Sequence, residues 1–180
     1  MLENILKYNK EFVEKKQYEQ YKTSKYPEKE LAIVSCMDTR LTELLLAAMG
    51  LKNGDVKVIK NAGAVISHPF GSVMRSLIIG VYELGIKEIL IVGHTDCGAR
   101  HTNSSDIIEK MKEKGISQKN IDLVKYCGVD FDSWIGGFCD LEESIKGTVD
   151  IVRNHLLMPD GIVVNGLVIN SETGEISRVV

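Results

Sequence analysis

Apolar runs of strand length alternate with amphipathic stretches of helix length along most of this chain, and that alternation constrains its fold most tightly. Leu31–Ser35, Asp55–Lys60 and Glu88–Val92 are short, carry β-branched residues and read as strands. After the first, Leu41 to Met49 reads as a helix stopped by Gly50. After the second, Pro69 suits a first helical turn, and Val73, Leu77, Ile78, Val81 and Leu84 keep helical spacing up to Gly85. Ser104–Lys114, Ser117–Tyr126 and Asp140–Leu157 read as further helices, the last opening on acids that suit the helix dipole. Phe131–Gly137 is too short and mixed to assign. Gly161–Asn170 is a long apolar strand broken by Gly166, and Gly174–Val180 is a closing strand. The turn between those two makes them an antiparallel pair. The pattern predicts an α/β fold: a mostly parallel central sheet with helices on both faces and an antiparallel closing strand. No repeat or linker divides it, so residues 1–180 are read as one domain.

Composition narrows the function classes. A net charge of -3 argues against a nucleic-acid partner, which calls for a basic face. No apolar stretch approaches the roughly 20 residues of a membrane span. Met1-Leu2-Glu3-Asn4 lacks the basic and apolar regions of a signal peptide, so a cytoplasmic location is expected. The four cysteines are too few and too irregularly spaced for a disulfide framework. Cys127 and Cys139 have no ligand spacing around them and read as small buried hydrophobes.

The other two cysteines sit where strands end. Glu88–Val92 runs into Gly93-His94-Thr95-Asp96-Cys97-Gly98, and Leu31–Ser35 runs into Cys36-Met37-Asp38-Thr39-Arg40. A histidine and a cysteine three residues apart in one turn can aim both donors into one space. Zinc takes imidazole and thiolate donors in a tetrahedral array, and a catalytic site leaves the fourth position open. Two parallel neighbouring strands would bring Cys36, His94 and Cys97 together at their carboxyl ends, the edge where open parallel sheets bind ligands. Asp38 and Arg40 follow Cys36 at alternate positions, so both face the metal side if the chain stays extended there. Arg40 can then hold the carboxylate in a forked pair.

Cys36-x-Asp38-x-Arg40 followed by His94-x-x-Cys97-Gly98 resembles the signature of the β-class carbonic anhydrases. Lys60-Asn61-Ala62-Gly63 is similar to that family's Arg-Asn-Ala-Gly stretch, with Lys60 in place of the usual arginine. The resemblance covers nearly the whole chain. It implies a β-carbonic anhydrase-like fold and a Zn2+ cofactor held by Cys36, His94 and Cys97. It also implies Asp38 and Arg40 as catalytic residues, with Asp38 the fourth ligand in a closed form. The implied reaction is reversible hydration of carbon dioxide to bicarbonate and a proton. Relatives on the same scaffold hydrolyse carbonyl sulfide or carbon disulfide. The glutamine that lines the pocket of larger plant-type members has no counterpart that can be placed here.

Blander readings stand beside these. Asp38 as a fourth protein ligand would make a purely structural zinc site. A phosphate-binding module is disfavoured because no Gly-x-Gly-x-x-Gly pattern is present, and a redox thiol protein because there is no Cys-x-x-Cys. His68 and His101, and less so His155, are candidate proton shuttles, with solvated surface histidine the simpler reading of all three. Asp96 is expected to accept a hydrogen bond from its own turn. Residues 2–22 carry the stripe Leu2, Ile5, Leu6, Phe12 and Val13 with no place in a compact sheet domain. In the resembled family such a leading helix packs on a partner protomer, so a homodimer or larger assembly is expected. A helix lying on its own domain is the alternative.

Overall fold

A computed structural model describes the whole chain, residues 1–180. Five strands form one sheet: β1 (Leu31–Cys36), β2 (Val56–Asn61), β3 (Glu88–His94), β4 (Val163–Ile169) and β5 (Ile176–Arg178). Their order is β2-β1-β3-β4-β5, parallel throughout except that β4 and β5 are antiparallel. The expected α/β architecture with an antiparallel closing strand is therefore the observed one. All six residues of β1 are buried, as a central strand covered on both faces requires.

The pleat divides the core. Ala32, Val34, Ile89 and Ile91 point to one face, under α3 (Ser72–Leu84) and α7 (Leu141–Arg153), where Met74, Leu77, Ile145 and Val149 are fully or almost fully buried. Leu31, Ile33, Val92 and Ile169 point to the other, under α2 (Leu41–Ala48), which contributes Leu41 and Leu45. Burying a side chain of this size stabilises the fold by about 1.5–3 kcal/mol. The remaining helices are α1 (Leu2–Glu14), α4 (Ser104–Glu113), α5 (Gln118–Tyr126) and α6 (Phe131–Ile135).

Several sequence boundaries shift for local reasons. The helix after Pro69 begins only at Ser72, because a turn with Gly71 N–H on the His68 carbonyl intervenes. α7 ends at Arg153 rather than Leu157. His155 turns inward there, its Nε2 2.9 Å from the Pro69 carbonyl oxygen, and draws the chain off the helix. Gly166 does not break β4. It pairs with Ile91 on one side, while on the other its N–H donates to the Val180 carbonyl at 2.9 Å. A Cβ there would stand 2.5 Å from Ile145 Cγ2, so glycine is what lets α7 lie close on the sheet.

The leading segment is α1 followed by a 3-10 turn, Gln17–Tyr21, rather than one helix over residues 2–22. No residue of α1 is buried, and Leu2, Ile5, Leu6 and Val13 are each more than half exposed. Only Phe12 is partly covered, by Tyr21 with ring centroids 6.2 Å apart. The own-domain alternative for this helix is thus not what the chain adopts.

Candidate metal centre and cleft

β1 connects to β2 on one side and β3 lies on its other side, so the chain reverses its winding between β1 and β3. Diverging connections leave a crevice at such a point, outside the carboxyl ends of the strands. Cys36 is the last residue of β1 and His94 the last of β3. Cys97 follows in a tight turn that Asp96 closes with a φ of 52°.

The one sulfur and nitrogen cluster this creates is buried and compact. The donor atoms of Cys36, His94 and Cys97 all lie within 4.8 Å of one another. Two Zn–S bonds of about 2.3 Å at a tetrahedral angle put their sulfurs about 3.8 Å apart. The Cys36 and Cys97 Sγ atoms are 3.8 Å apart. His94 Nδ1 lies 2.8 Å from the Thr95 carbonyl oxygen, which fixes the proton on Nδ1. Nε2 is then left with a lone pair, and it is buried without a hydrogen-bond partner. Two sulfurs at tetrahedral separation and an orphaned imidazole nitrogen fit a zinc ion.

Electrostatics favour a thiolate at the strand end. Burial acts to raise the Cys36 thiol, but the neighbouring His94 imidazole, the backbone N–H groups of Asp38 and Gly63 and the Cys97 thiol outweigh it and lower the pKa to about 7. The Gly63 N–H reaches Cys36 Sγ at 3.4 Å, and Gly63 needs its φ of 74° to do so. Cys97 moves the opposite way, raised by burial and by its Cys36 neighbour.

Asp38 and Arg40 come together through a turn rather than an extended segment. Arg40 is helical at the start of α2 (φ -62°), and its backbone N–H donates to Asp38 Oδ1 at 2.9 Å. This is an Asx turn, in which a side chain replaces a backbone turn acceptor. The fork forms as expected: Arg40 Nε donates to Oδ1 at 3.1 Å and Nη2 to Oδ2 at 2.8 Å. Those bonds hold the Asp38 carboxyl well below the usual carboxylate range and push the Arg40 guanidinium up. Asp38 Oδ2 also lies 3.8 Å from His94 Nε2, within reach of the donor cluster.

A cleft of about 790 Å3 opens on Cys36 and Asp38. Met37, Val65, Ala99, Ile107, Trp134 and Phe138 supply much of its apolar wall. The segment left unassigned in the sequence builds one side of it. α6 is capped by Asp130, whose carboxylate accepts from the N–H groups of Asp132 and Ser133. Gly137 then packs so closely on the loop after Cys97 that a Cβ would stand 2.0 Å from the Ala99 carbonyl oxygen. The nearest signal in the sequence was the pair Gly136-Gly137, which marks close backbone approach only once the neighbour is known.

Other expectations need correction. Cys127 and Cys139 are exposed, one at the end of α5 and the other in the loop beyond α6, so neither fills the core. His155 is buried and bonded at both ring nitrogens, to the Pro69 carbonyl and the Leu157 N–H, so it is no surface histidine. His68 and His101 are exposed and neither lines the cleft. The Asp96 carboxylate is not taken up by its own turn. Its Oδ2 accepts from Arg40 Nη1 at 2.9 Å.

A sequence model of the carbonic anhydrase family matches residues 31–129, the span that holds all three donors. The solved β-carbonic anhydrase isoform I of Trichomonas vaginalis superposes over all of this chain and 97% of its own, with a TM-score of 0.90 and 36% identity. The chain belongs to the β-class carbonic anhydrases. Bacillus subtilis (strain 168) YtiB, provisionally named a carbonic anhydrase, is 50% identical over all of this chain and 96% of its own length. A carbon disulfide hydrolase of Acidithiobacillus thiooxidans is 30% identical over 81% of this chain and 75% of its own. The fold and the enzyme class of this carbonic anhydrase follow from the match.

Proposed function

We propose that this β-carbonic anhydrase hydrates carbon dioxide reversibly to bicarbonate and a proton, with zinc held by Cys36, His94 and Cys97. The observation that carries the reading is the donor cluster: two sulfurs 3.8 Å apart beside a buried, unpartnered His94 Nε2. When bound, zinc supplies Lewis acidity and brings the ionisation of a water toward neutral pH. Two thiolates and a neutral imidazole cancel its charge, so that ionisation needs a higher pH than a three-histidine site would.

The remaining work belongs to the chain. Asp38 accepts the proton-side hydrogen bond of the attacking water or hydroxide and so directs its lone pair at carbon. Arg40 holds Asp38 in that position through the two-point fork. The apolar wall by Val65, Ala99 and Phe138 excludes bulk water around a small uncharged substrate. Attack forms one C–O bond while one C=O π bond opens and leaves its electron pair on that oxygen, which gives bicarbonate, and the proton of the water leaves to solvent. Asp38 has a second use: released from Arg40, its carboxylate would serve as a fourth ligand to a bound zinc and close the site. Its 3.8 Å distance from His94 Nε2 supports that short move.

The same reading includes self-association through α1, supported by an apolar stripe that its own chain leaves uncovered. A cytoplasmic location accords with four unpaired cysteines. Carbon disulfide or carbonyl sulfide hydrolysis is the second reading, favoured by the 30% identity to a carbon disulfide hydrolase. Stopped-flow assay of the zinc-loaded protein with carbon dioxide and with carbonyl sulfide tests the choice. Turnover of carbonyl sulfide alone would overturn the first reading.

A further inference from the structure

Arg40 has more donors than Asp38 can use, and the surplus goes to one residue. Nη1 donates to Asp96 Oδ2 at 2.9 Å, and Nη2 donates to the Asp96 backbone carbonyl at 2.9 Å as well as to Asp38. Asp96 stands 56 positions further along, in the turn between His94 and Cys97, and its left-handed φ of 52° is uncommon for a residue with a side chain. A glycine would adopt that turn without strain. An aspartate there costs something and gives Arg40 an acceptor on the solvent side: the Asp96 side chain is 84% exposed, that of Asp38 17%.

We propose that Asp96 is a positioning residue for the hydration reaction, clamping the Arg40 guanidinium from the zinc turn so that its fork meets Asp38. The clamp rests on the proposed role of Asp38. It ties the two loops that carry the metal donors through a single side chain. It also keeps a counter-charge on Arg40 when Asp38 moves away, so that the cation stays in place for the carboxylate to return to. One exposed hydrogen bond of this kind is worth a modest factor in rate, about threefold to tenfold.

Asp96→Gly separates this role from a structural one, since it removes the carboxylate acceptor, leaves the backbone carbonyl that Nη2 also uses, and relieves the turn. The zinc-loaded Asp96→Gly protein is expected to keep its zinc and melting temperature and to lose about threefold to tenfold in kcat/KM for carbon dioxide. Asp96→Asn, which still offers an oxygen and tolerates the same φ, is expected to recover most of that loss. In an Arg40→Ala background, Asp96→Gly should change nothing further. Independently of turnover, the Arg40 guanidinium should rotate faster in Asp96→Gly, read from its Nε–H nuclear magnetic resonance signals. Unchanged Arg40 rotation, a loss in Asp96→Asn equal to that in Asp96→Gly, or a loss that persists without Arg40 would each overturn the clamp. Failure of the functional reading shows separately, as a zinc-loaded wild type that does not turn over carbon dioxide while Arg40 remains immobilised.

Discussion

The Sγ atoms of Cys36 and Cys97 lie 3.8 Å apart although 61 positions separate the residues in sequence. β1 and β3 pair in parallel from Leu31 opposite Glu88, so both strands run out at the same edge of the sheet. The donor cluster is a consequence of that register. Slipping β3 by one residue would turn every side chain to the other face.

Removing any one donor should therefore remove the metal. Cys36→Ala, His94→Ala and Cys97→Ala are each expected to abolish stoichiometric zinc, read by elemental analysis of the folded protein. Full zinc occupancy in Cys36→Ala would remove that residue from the ligand set.

Activity is expected to be low near neutrality and to climb toward alkaline pH. The sign follows from which group titrates. Hydrogen bonds from Arg40 hold the Asp38 carboxyl below the ordinary range. Its contribution to stability is thus present above the unfolded pKa of about 3.9 and is lost only in stronger acid. Asp38 stays charged across the assay range, so the rise reports ionisation of the nucleophilic water and not of Asp38. Asp38→Ala should keep zinc and lose at least tenfold in kcat, about 1.4 kcal/mol. Arg40→Ala should also lower activity, by leaving the carboxylate free to close the site. A flat wild-type profile from about pH 6 to about pH 9 would contradict this account.

Deleting residues 1–22 should weaken self-association. Leu2, Ile5, Leu6 and Val13 lie exposed on a helix that touches little but its own following turn. Apolar area of this kind is worth about 25 cal/mol per Å2 when covered. Sedimentation velocity of full-length and shortened protein measures the change, and an unaltered assembly would assign the stripe some other role.

Gly137→Ala should damage the cleft more than its one methyl group suggests. The new Cβ would meet the Ala99 carbonyl oxygen and the Thr102 backbone nitrogen, at 2.0 and 2.8 Å, and backbone cannot rotate away as a side chain can. Overpacking costs about 1–3 kcal/mol even where side chains adjust. A lowered melting temperature with impaired turnover is expected. Wild-type values for both would mean that α6 and the loop after Cys97 are not rigidly joined.

Much was legible before any coordinates. The apolar runs and their intervening helices specify the parallel sheet because a strand buried on both faces must be apolar throughout, as β1 is. That Cys36, His94 and Cys97 come together was legible from residue type and spacing, since few residue types bind zinc and two of them share one turn. Local backbone competition was not legible. The Asp38–Arg40 fork was expected, but nothing in the composition of Met37 to Arg40 says that an Asx turn and not an extended segment will form it.

The sequence by itself determined the periodicities, the donor types and the apolar stripe on α1; that the chain leaves this stripe uncovered came from the structure. Only the tertiary structure decided what lies against what. Asp96 became a partner of Arg40, and Gly137 a neighbour of Ala99, because the crevice between β1 and β3 folds distant loops onto each other. Cys127 and Cys139 came out exposed for the complementary reason. A cysteine is apolar enough for the core, but its place is set by the helix or loop that carries it. Hydrogen bonds and close backbone contacts act over about 3 Å, and a one-dimensional pattern does not encode which residues will come within that distance.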